Sequence, residues 1–99
     1  MIRHIAAFRF NSSVSAEKIA DLGKAVGTLP DHIPAIVSFA HGPDLHLWPE
    51  GTNYDYVVVA DFETEQDYRD YAIDTYHQEV IKISLLPILK ERAAIQFEF

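Results

Sequence analysis

The segment 53–63 constrains the fold more than any other part of the sequence, because apolar side chains occupy alternate positions along it. The alternating series is Tyr54, Tyr56, Val58, Ala60 and Phe62, and Val57 and Val59 lie between its members. Successive side chains of a strand point to opposite faces of the sheet, so the pattern predicts a β-strand with apolar residues on both faces. Both faces of the sheet at this strand must therefore pack against other parts of the protein or against a partner.

Three further segments are predicted to be strands. Residues 2–10 place Ile2, His4, Ala6, Phe8 and Phe10 on one face and Arg3, Ile5, Ala7 and Arg9 on the other. Residues 35–41 form a strand that Gly42-Pro43 ends, and 93–99 form the last, with Ala93, Ile95, Phe97 and Phe99 on one face. His4 is therefore expected to point into the core, as Phe8 does.

Helices are predicted between these strands. Ser13 or Ser15 caps a helix that runs to about Leu29, and Thr64 caps a short second helix. Thr75 and Gln78 have the spacing of a capping box, which predicts a third helix to about Leu86, kinked or ended by Pro87. The order β-α-β-β-α-α-β predicts a single α+β domain over 1–99 with a ferredoxin-like fold, a four-stranded antiparallel sheet with helices on one face.

Charge and composition exclude several classes of function. Asp and Glu number 15 against 8 Lys and Arg, giving a net charge of −7 that repels nucleic acid. With no cysteine, there is neither a disulfide nor a thiol nucleophile. The alternating N-terminal segment resembles neither a signal peptide nor a membrane span, so a soluble cytoplasmic protein without membrane or nucleic-acid partners is expected.

The sheet has a second apolar face that helices on one side cannot cover. If the helices pack on Phe8, Val58 and Phe62, a set on the opposite face is left in water: Ile5, Ala7, Val57 and Val59. Apolar surface of this size is rarely exposed in a monomer. A homodimer is predicted, with two copies packed sheet against sheet.

The segment 70–78 carries the best candidates for catalytic residues, Tyr71 and His77. His77 falls in the first turn of the third helix, where the helix dipole and burial both disfavour a charged imidazolium. A neutral His77 can take a proton from a carbon next to a carbonyl, and the Tyr71 hydroxyl can hold the resulting enolate oxygen. Alternatively, both are core residues whose polar tips are hydrogen-bonded.

Candidate substrate-binding residues lie on the predicted inner face of the sheet. His4 and Tyr56 are expected to orient the substrate, and Phe8, Val58 and Phe62 to form apolar walls. His41 and His46 lack a third nearby histidine, so no metal site is predicted. A void of about 300 Å³ or more beside His77 would favour a ligand, and a filled interior a structural role.

The sequence resembles the stress-responsive A/B barrel domain (Dabb) family over essentially its whole length. The marks are Ile2-Arg3-His4-Ile5 with Phe8-Arg9-Phe10, Ile33-Pro34-Ala35, Gly42, Tyr54 with Val57-Val58-Val59, Phe62-Glu63, Asp70-Tyr71 and His77. This resemblance implies a dimeric α+β barrel whose sheets pack back to back. In a plant polyketide cyclase of this family, a tyrosine and a histidine that match Tyr71 and His77 catalyse ring closure, with a histidine matching His4 nearby. Tyr56 stands where a further histidine occurs, and Asp74-Thr75 replaces the usual His-Pro pair.

The resemblance implies two main classes of function. The first is a cofactor-free lyase or cyclase acting on a small polyketide-like or aromatic carbonyl compound. The alternative is a non-catalytic stress-responsive dimer that binds an apolar ligand or assembles further. A cofactor-free monooxygenase of the same fold is a third possibility. None of the three implies a bound cofactor.

Overall fold

A computed structural model describes residues 1–99 and contains one antiparallel sheet with the strand order β2-β3-β1-β4. The strands are β1 (Ile2–Phe10), β2 (Ser38–Pro43), β3 (Tyr56–Phe62) and β4 (Leu89–Glu98). The helices are α1 (Ala16–Gly27), α2 (Leu29–His32), α3 (Glu65–Ile73) and α4 (Thr75–Val80), and a π-helical turn spans Ile81–Leu85. The ferredoxin-like prediction is confirmed, and the short α2 is an element that it did not contain.

The hydrophobic core lies between the helices and one face of the sheet, here called the inner face. Strand β1 is central and pairs His4 with Ala60 on β3 and with Gln96 on β4. Inner-face core residues are Ala6, Phe8, Phe10, Tyr56, Val58, Ala60 and Phe62. Leu22 and Val26 of α1 and Tyr71 of α3 pack against them. Burial of these side chains, at about 1.5–3 kcal/mol for each large one, is the main force that holds the helices on the sheet.

Three of the four strands differ in their bounds from the prediction. Strand β2 begins at Ser38 instead of position 35 and includes Pro43, which an edge strand tolerates because its outer N–H groups have no partner. Strand β3 is shorter than 53–63 at both ends. Strand β4 begins at Leu89 instead of Ala93, because it continues to pair with β1 as far as Phe10.

Helix α4 begins at the predicted residue but has a different cap. Asp74 is the N-cap, and its Oδ1 accepts a hydrogen bond from the His77 backbone N–H at 3.1 Å. Thr75 is already the first helical residue, so the predicted capping box does not form. The Gln78 side chain donates instead to the carbonyl oxygen of Ala72. His77 still lies in the first turn, as predicted.

The chain leaves α4 through the π-helical turn. The Leu86 N–H donates to the Ile81 carbonyl at 2.9 Å, one residue further back than in an α-helix. Pro87 follows and has no N–H to continue the ladder. The prediction that Pro87 ends this helix is correct in position.

The opposite face of the sheet, here called the outer face, has no helix on it. Ile5 pairs with Val59 and Ile95, and Ala7 with Val57, so these side chains share this face. Val57 is 38% exposed and Ile95 is 59% exposed. At one end of the face Asp61 accepts two hydrogen bonds from the Arg3 guanidinium, at 2.8 and 2.9 Å. The outer face therefore remains a mainly apolar, uncovered surface in the single chain.

None of the helices is both long enough and apolar enough to span a membrane.

Candidate functional site

A cavity of about 220 Å³ lies between the inner face of the sheet and the helices. Its walls are mostly apolar and come from α1, the sheet and the π-helical turn, whose Ile81 and Leu85 reach it. The polar side chains that line it are His4, Tyr68, Tyr71, His77, Gln78 and Arg92. The interior is therefore not filled, but the cavity is smaller than the 300 Å³ expected of a ligand site.

Five of the seven predicted site residues line this cavity: His4, Phe8, Val58, Tyr71 and His77. Tyr56 does not, because its hydroxyl is directed toward β2 and is hydrogen-bonded to His41 Nδ1 at 2.7 Å. Phe62 is fully buried, with its ring centroid 5.1 Å from that of Tyr71. The structure thus places Phe62 behind the cavity wall and Tyr56 in a separate polar contact, so neither occupies the predicted substrate-binding position.

Tyr71 and His77 come together because the helix is interrupted between them. Helix α3 ends after Ile73, and the extended Asp74 both ends α3 and caps α4. Its N–H donates to the Tyr71 carbonyl at 3.2 Å. As a result, the rings of Tyr71 and His77 lie with their centroids 4.1 Å apart and their planes tilted by 32°.

The imidazole of His77 has two nitrogens in different surroundings. Nδ1 is sealed from solvent and is the one such side-chain nitrogen or oxygen without a hydrogen-bond partner. Burial lowers the pKa of His77, and Arg92 acts in the same direction. The backbone carbonyls of Ala72 and Tyr71 and the Asp74 carboxylate oppose the shift without cancelling it. The ring is therefore neutral at pH 7.

His4 and Tyr71 provide donors at the same cavity. His4 is 4% exposed, and burial, with contributions from Arg92 and His77, lowers its pKa to about 4. The Gln96 side-chain amide donates to His4 Nδ1 at 2.9 Å, which places the proton of the neutral imidazole on Nε2. Burial raises the pKa of Tyr71, so its hydroxyl remains a protonated donor.

Four polar residues of this site were not predicted from the sequence: Tyr68, Gln78 and Arg92, which line the cavity, and Gln96, which binds His4. Arg92 pairs with Phe8 across the β1–β4 ladder and so projects to the inner face. The prediction began β4 at Ala93 and left Arg92 outside the strand. The alternation itself held the signal, because a strand with Ala93 and Ile95 outward places Arg92 and Gln96 inward.

No group of three or more His, Cys, Asp or Glu side chains is arranged to bind a metal ion. His41 is hydrogen-bonded to Tyr56, and the exposed loop residue His46 lies beside Asp44. His41, in β2, and His46, in the loop that follows, thus have different partners.

The fold and cavity define a small α+β protein of the ferredoxin-like class. The sequence matches the Stress responsive A/B Barrel Domain (Dabb) over residues 2–99. The chain belongs to the Dabb family, and the predicted resemblance is confirmed.

Solved structures share the fold over nearly the whole chain. A dimeric ferredoxin-like protein of unknown function from Thermobifida fusca is 37% identical with a TM-score of 0.89, over 99% of this chain and 90% of its own. A dimeric protein of unknown function from Bacteroides fragilis is 22% identical with a TM-score of 0.84, over 99% and 95%. The hydroxynitrile lyase of Passiflora edulis is 18% identical with a TM-score of 0.82, over 97% and 90%. A search of curated proteins finds no match.

Proposed function

We propose that this protein is a homodimeric, cofactor-free lyase or cyclase that removes a proton next to the carbonyl group of a small compound. The observation that carries the proposal is the pair formed by Tyr71 and His77 at the cavity. His77 is neutral, and both it and Tyr71 line the cavity without a hydrogen bond from either side chain to another side chain. A base and a donor that are both unsatisfied in an apolar cavity are suited to a carbonyl substrate.

His77 acts as the base through Nε2. Nδ1 is sealed from solvent, so Nε2 is the ring nitrogen that a molecule in the cavity can reach. With the ring proton on Nδ1, Nε2 presents a lone pair. It takes the proton from the carbon next to the substrate carbonyl, and the C–H electron pair becomes the enolate double bond.

The negative charge of the enolate rests on the former carbonyl oxygen. The Tyr71 hydroxyl donates a hydrogen bond to it, and the Nε2–H of neutral His4 is a second donor at the same cavity. Burial raises the pKa of Tyr71, so its hydroxyl stays protonated at pH 7. Burial lowers the pKa of His4, so its ring is a neutral imidazole, whose single N–H is on Nε2. Donors fixed before the reaction in a dry site stabilise developing charge most effectively.

Ring closure follows from this enolate without any cofactor. Its carbon attacks a second carbonyl group of the same molecule and forms the new C–C bond, and the oxygen of that carbonyl becomes an alkoxide. The alkoxide regains the proton held by His77, so this aldol step neither adds nor removes atoms. The fold also occurs in a hydroxynitrile lyase, which supports the capacity of this architecture to hold a lyase site.

The functional unit in this proposal is a dimer formed through the outer face. The Thermobifida fusca and Bacteroides fragilis proteins of the same fold are dimeric. The predicted contact residues Ile5, Ala7, Val57 and Val59 all lie on the outer face, together with Ile95. Packing two such faces removes their apolar surface from water while both cavities stay on the helix side.

The second candidate is a non-catalytic dimer that binds a small apolar ligand. The mostly apolar lining of the cavity favours it, and the volume of about 220 Å³ restricts the ligand to a small molecule. In that case Tyr71 and His77 would be polar groups of the lining and would not change a bound molecule.

Proton exchange separates the two candidates without knowledge of the natural substrate. A panel of small methyl ketones, including acetophenone, is incubated with the protein in deuterated water, and deuterium incorporation next to the carbonyl is followed by NMR. Wild type is expected to accelerate exchange, and His77→Gln to reduce the rate by about 10²–10⁴-fold, the usual effect of losing an acid–base group. Ketone binding without faster exchange than in buffer would support the non-catalytic candidate.

A further inference from the structure

Arg92 is the one charged side chain that lines the cavity, and no Asp or Glu lines it. The cavity thus has a positive charge in a protein whose net charge is −7. The proposed enolate chemistry requires a base and donors but gives no reason for a guanidinium at this place.

Arg92 differs from the other arginines of the chain in having no carboxylate partner. Arg3 pairs with Asp61, Arg9 with Glu91 and Arg69 with Glu65. Glu91 precedes Arg92 in β4, but it lies on the outer face, where its carboxylate is 2.7 Å from Arg9 Nε. Glu98, on the inner face of the same strand, is six residues away, or about 20 Å at the rise of a β-strand.

The position of Arg92 also relates it to the reacting groups. It pairs with Phe8 on the inner face, and its charge acts on the titration of His4, Tyr71 and His77 alike. Because Arg92 is exposed to solvent and also lines the cavity, its guanidinium lies where the cavity meets solvent. A ligand between these groups would have its carbonyl at Tyr71 and His77 and its other end at Arg92.

We propose that Arg92 binds a carboxylate group of the substrate, which makes the substrate class small keto acids and related carboxylated carbonyl compounds. The carbonyl group of this substrate class follows from the proposed function, on which the inference rests, and the carboxylate group follows from Arg92. A guanidinium matches a carboxylate with two parallel N–H···O bonds. A phosphate dianion is disfavoured, because one guanidinium would meet two negative charges in an acidic protein.

The test compares two probes of nearly equal shape, benzoate and its uncharged counterpart benzamide, in binding titrations followed by protein NMR. Wild type is expected to bind benzoate more tightly than benzamide. Arg92→Gln is expected to weaken benzoate binding by about tenfold, as for a charged hydrogen bond exposed to water, and to leave benzamide binding unchanged. Arg92→Lys keeps the positive charge but cannot form the two parallel hydrogen bonds of a guanidinium, so its affinity for benzoate should be intermediate. Lys90→Gln, on the same strand but outside the cavity, should change neither probe.

Several outcomes would overturn the proposal. In two of them the wild-type protein binds no benzoate, or binds phenyl phosphate more tightly than benzoate. In two others Arg92→Gln binds benzoate as tightly as wild type does, or loses the binding of both benzoate and benzamide. Dissociation of the dimer in Arg92→Gln would also overturn it, since the guanidinium would then serve subunit contact. Arg92-dependent benzoate binding by a protein that exchanges no ketone protons would keep this inference and reject the catalytic one.

Discussion

The rings of Tyr71 and His77 lie 4.1 Å apart between centroids, although the two residues belong to different helices. One extended residue, Asp74, produces this contact by ending α3 and capping α4. In one uninterrupted α-helix, residues six apart would be separated by about 120° around the axis and about 9 Å along it. The helix break is therefore what creates the candidate site.

Tyr71→Phe is predicted to reduce catalysis without reducing stability. The Tyr71 hydroxyl has no hydrogen-bond partner in the protein, so its removal should change the free energy of unfolding by less than about 0.5 kcal/mol. In ketone exchange, kcat should fall by about 10²–10³-fold while KM changes little, because the bond strengthens only as charge develops. Urea unfolding and steady-state kinetics measure the two effects.

Tyr56→Phe is the matched control. It removes the same hydroxyl from a tyrosine outside the cavity and breaks the bond to His41. Stability should fall by about 0.5–1.5 kcal/mol, and exchange should stay near the wild-type rate. If Tyr56→Phe reduced exchange as strongly as Tyr71→Phe, the assignment of Tyr71 as the oxyanion donor would be wrong.

Stability is predicted to fall in mild acid because of His4. Its pKa is about 4 in the folded chain and about 6.5 in the unfolded chain, so the unfolded state binds a proton first. The neutral imidazole thus contributes stability that is present above pH 6.5 and is lost as the pH falls toward 4. Linkage gives a loss of about 2 kcal/mol between pH 7 and pH 5 from His4 alone.

His4→Gln removes this titration and should reduce the dependence of the free energy of unfolding on pH between pH 7 and pH 5. His46→Gln, at an exposed loop histidine, is the control and should keep the wild-type slope. Urea unfolding at pH 7 and pH 5 measures both variants. An unchanged slope in His4→Gln would show that His4 is not buried in its neutral form.

The dimer contact is predicted to fail when charge is placed on the outer face. Val57→Lys with Val59→Lys should give a monomer or insoluble protein, because two ammonium groups would be buried against the partner. Sedimentation velocity distinguishes these outcomes from a dimer. Ile73→Lys with Ile83→Lys, at two exposed helical positions, is the matched control and should remain dimeric. A stable dimer of the Val57/Val59 variant would place the contact elsewhere.

The sheet was predictable from the sequence because its alternation is strict. Both faces of β1 and β3 follow from a period of two, and the grouping of Ile5 and Ala7 with Val57 and Val59 is reproduced by the register. Strand ends were less predictable. Pairing with Phe10 extends β4 to Leu89, and no local signal around Leu89 marks that long-range partner.

The candidate site was predicted only in part, because side-chain direction depends on tertiary contacts. Tyr56 and Val58 share a face, yet only Val58 reaches the cavity, since His41 on the neighbouring strand binds the Tyr56 hydroxyl. Asp74, rather than Thr75, caps α4. Both residue types are good N-caps, so the sequence spacing alone could not identify which of the two would be the cap. Arg92 was missed because the predicted last strand began at Ala93, one residue too late to include it.

The most direct test of the central claim is the state of the His77 imidazole in the ligand-free protein. An NMR titration that correlates ring nitrogens with ring carbon-bound protons reports both its pKa and which nitrogen carries the proton. The account predicts a pKa below the usual value of about 6.5 and, at pH 7, a neutral ring with the proton on Nδ1 and a lone pair on Nε2. A pKa at or above 6.5, or a neutral ring protonated on Nε2, would contradict the assignment of His77 as the base.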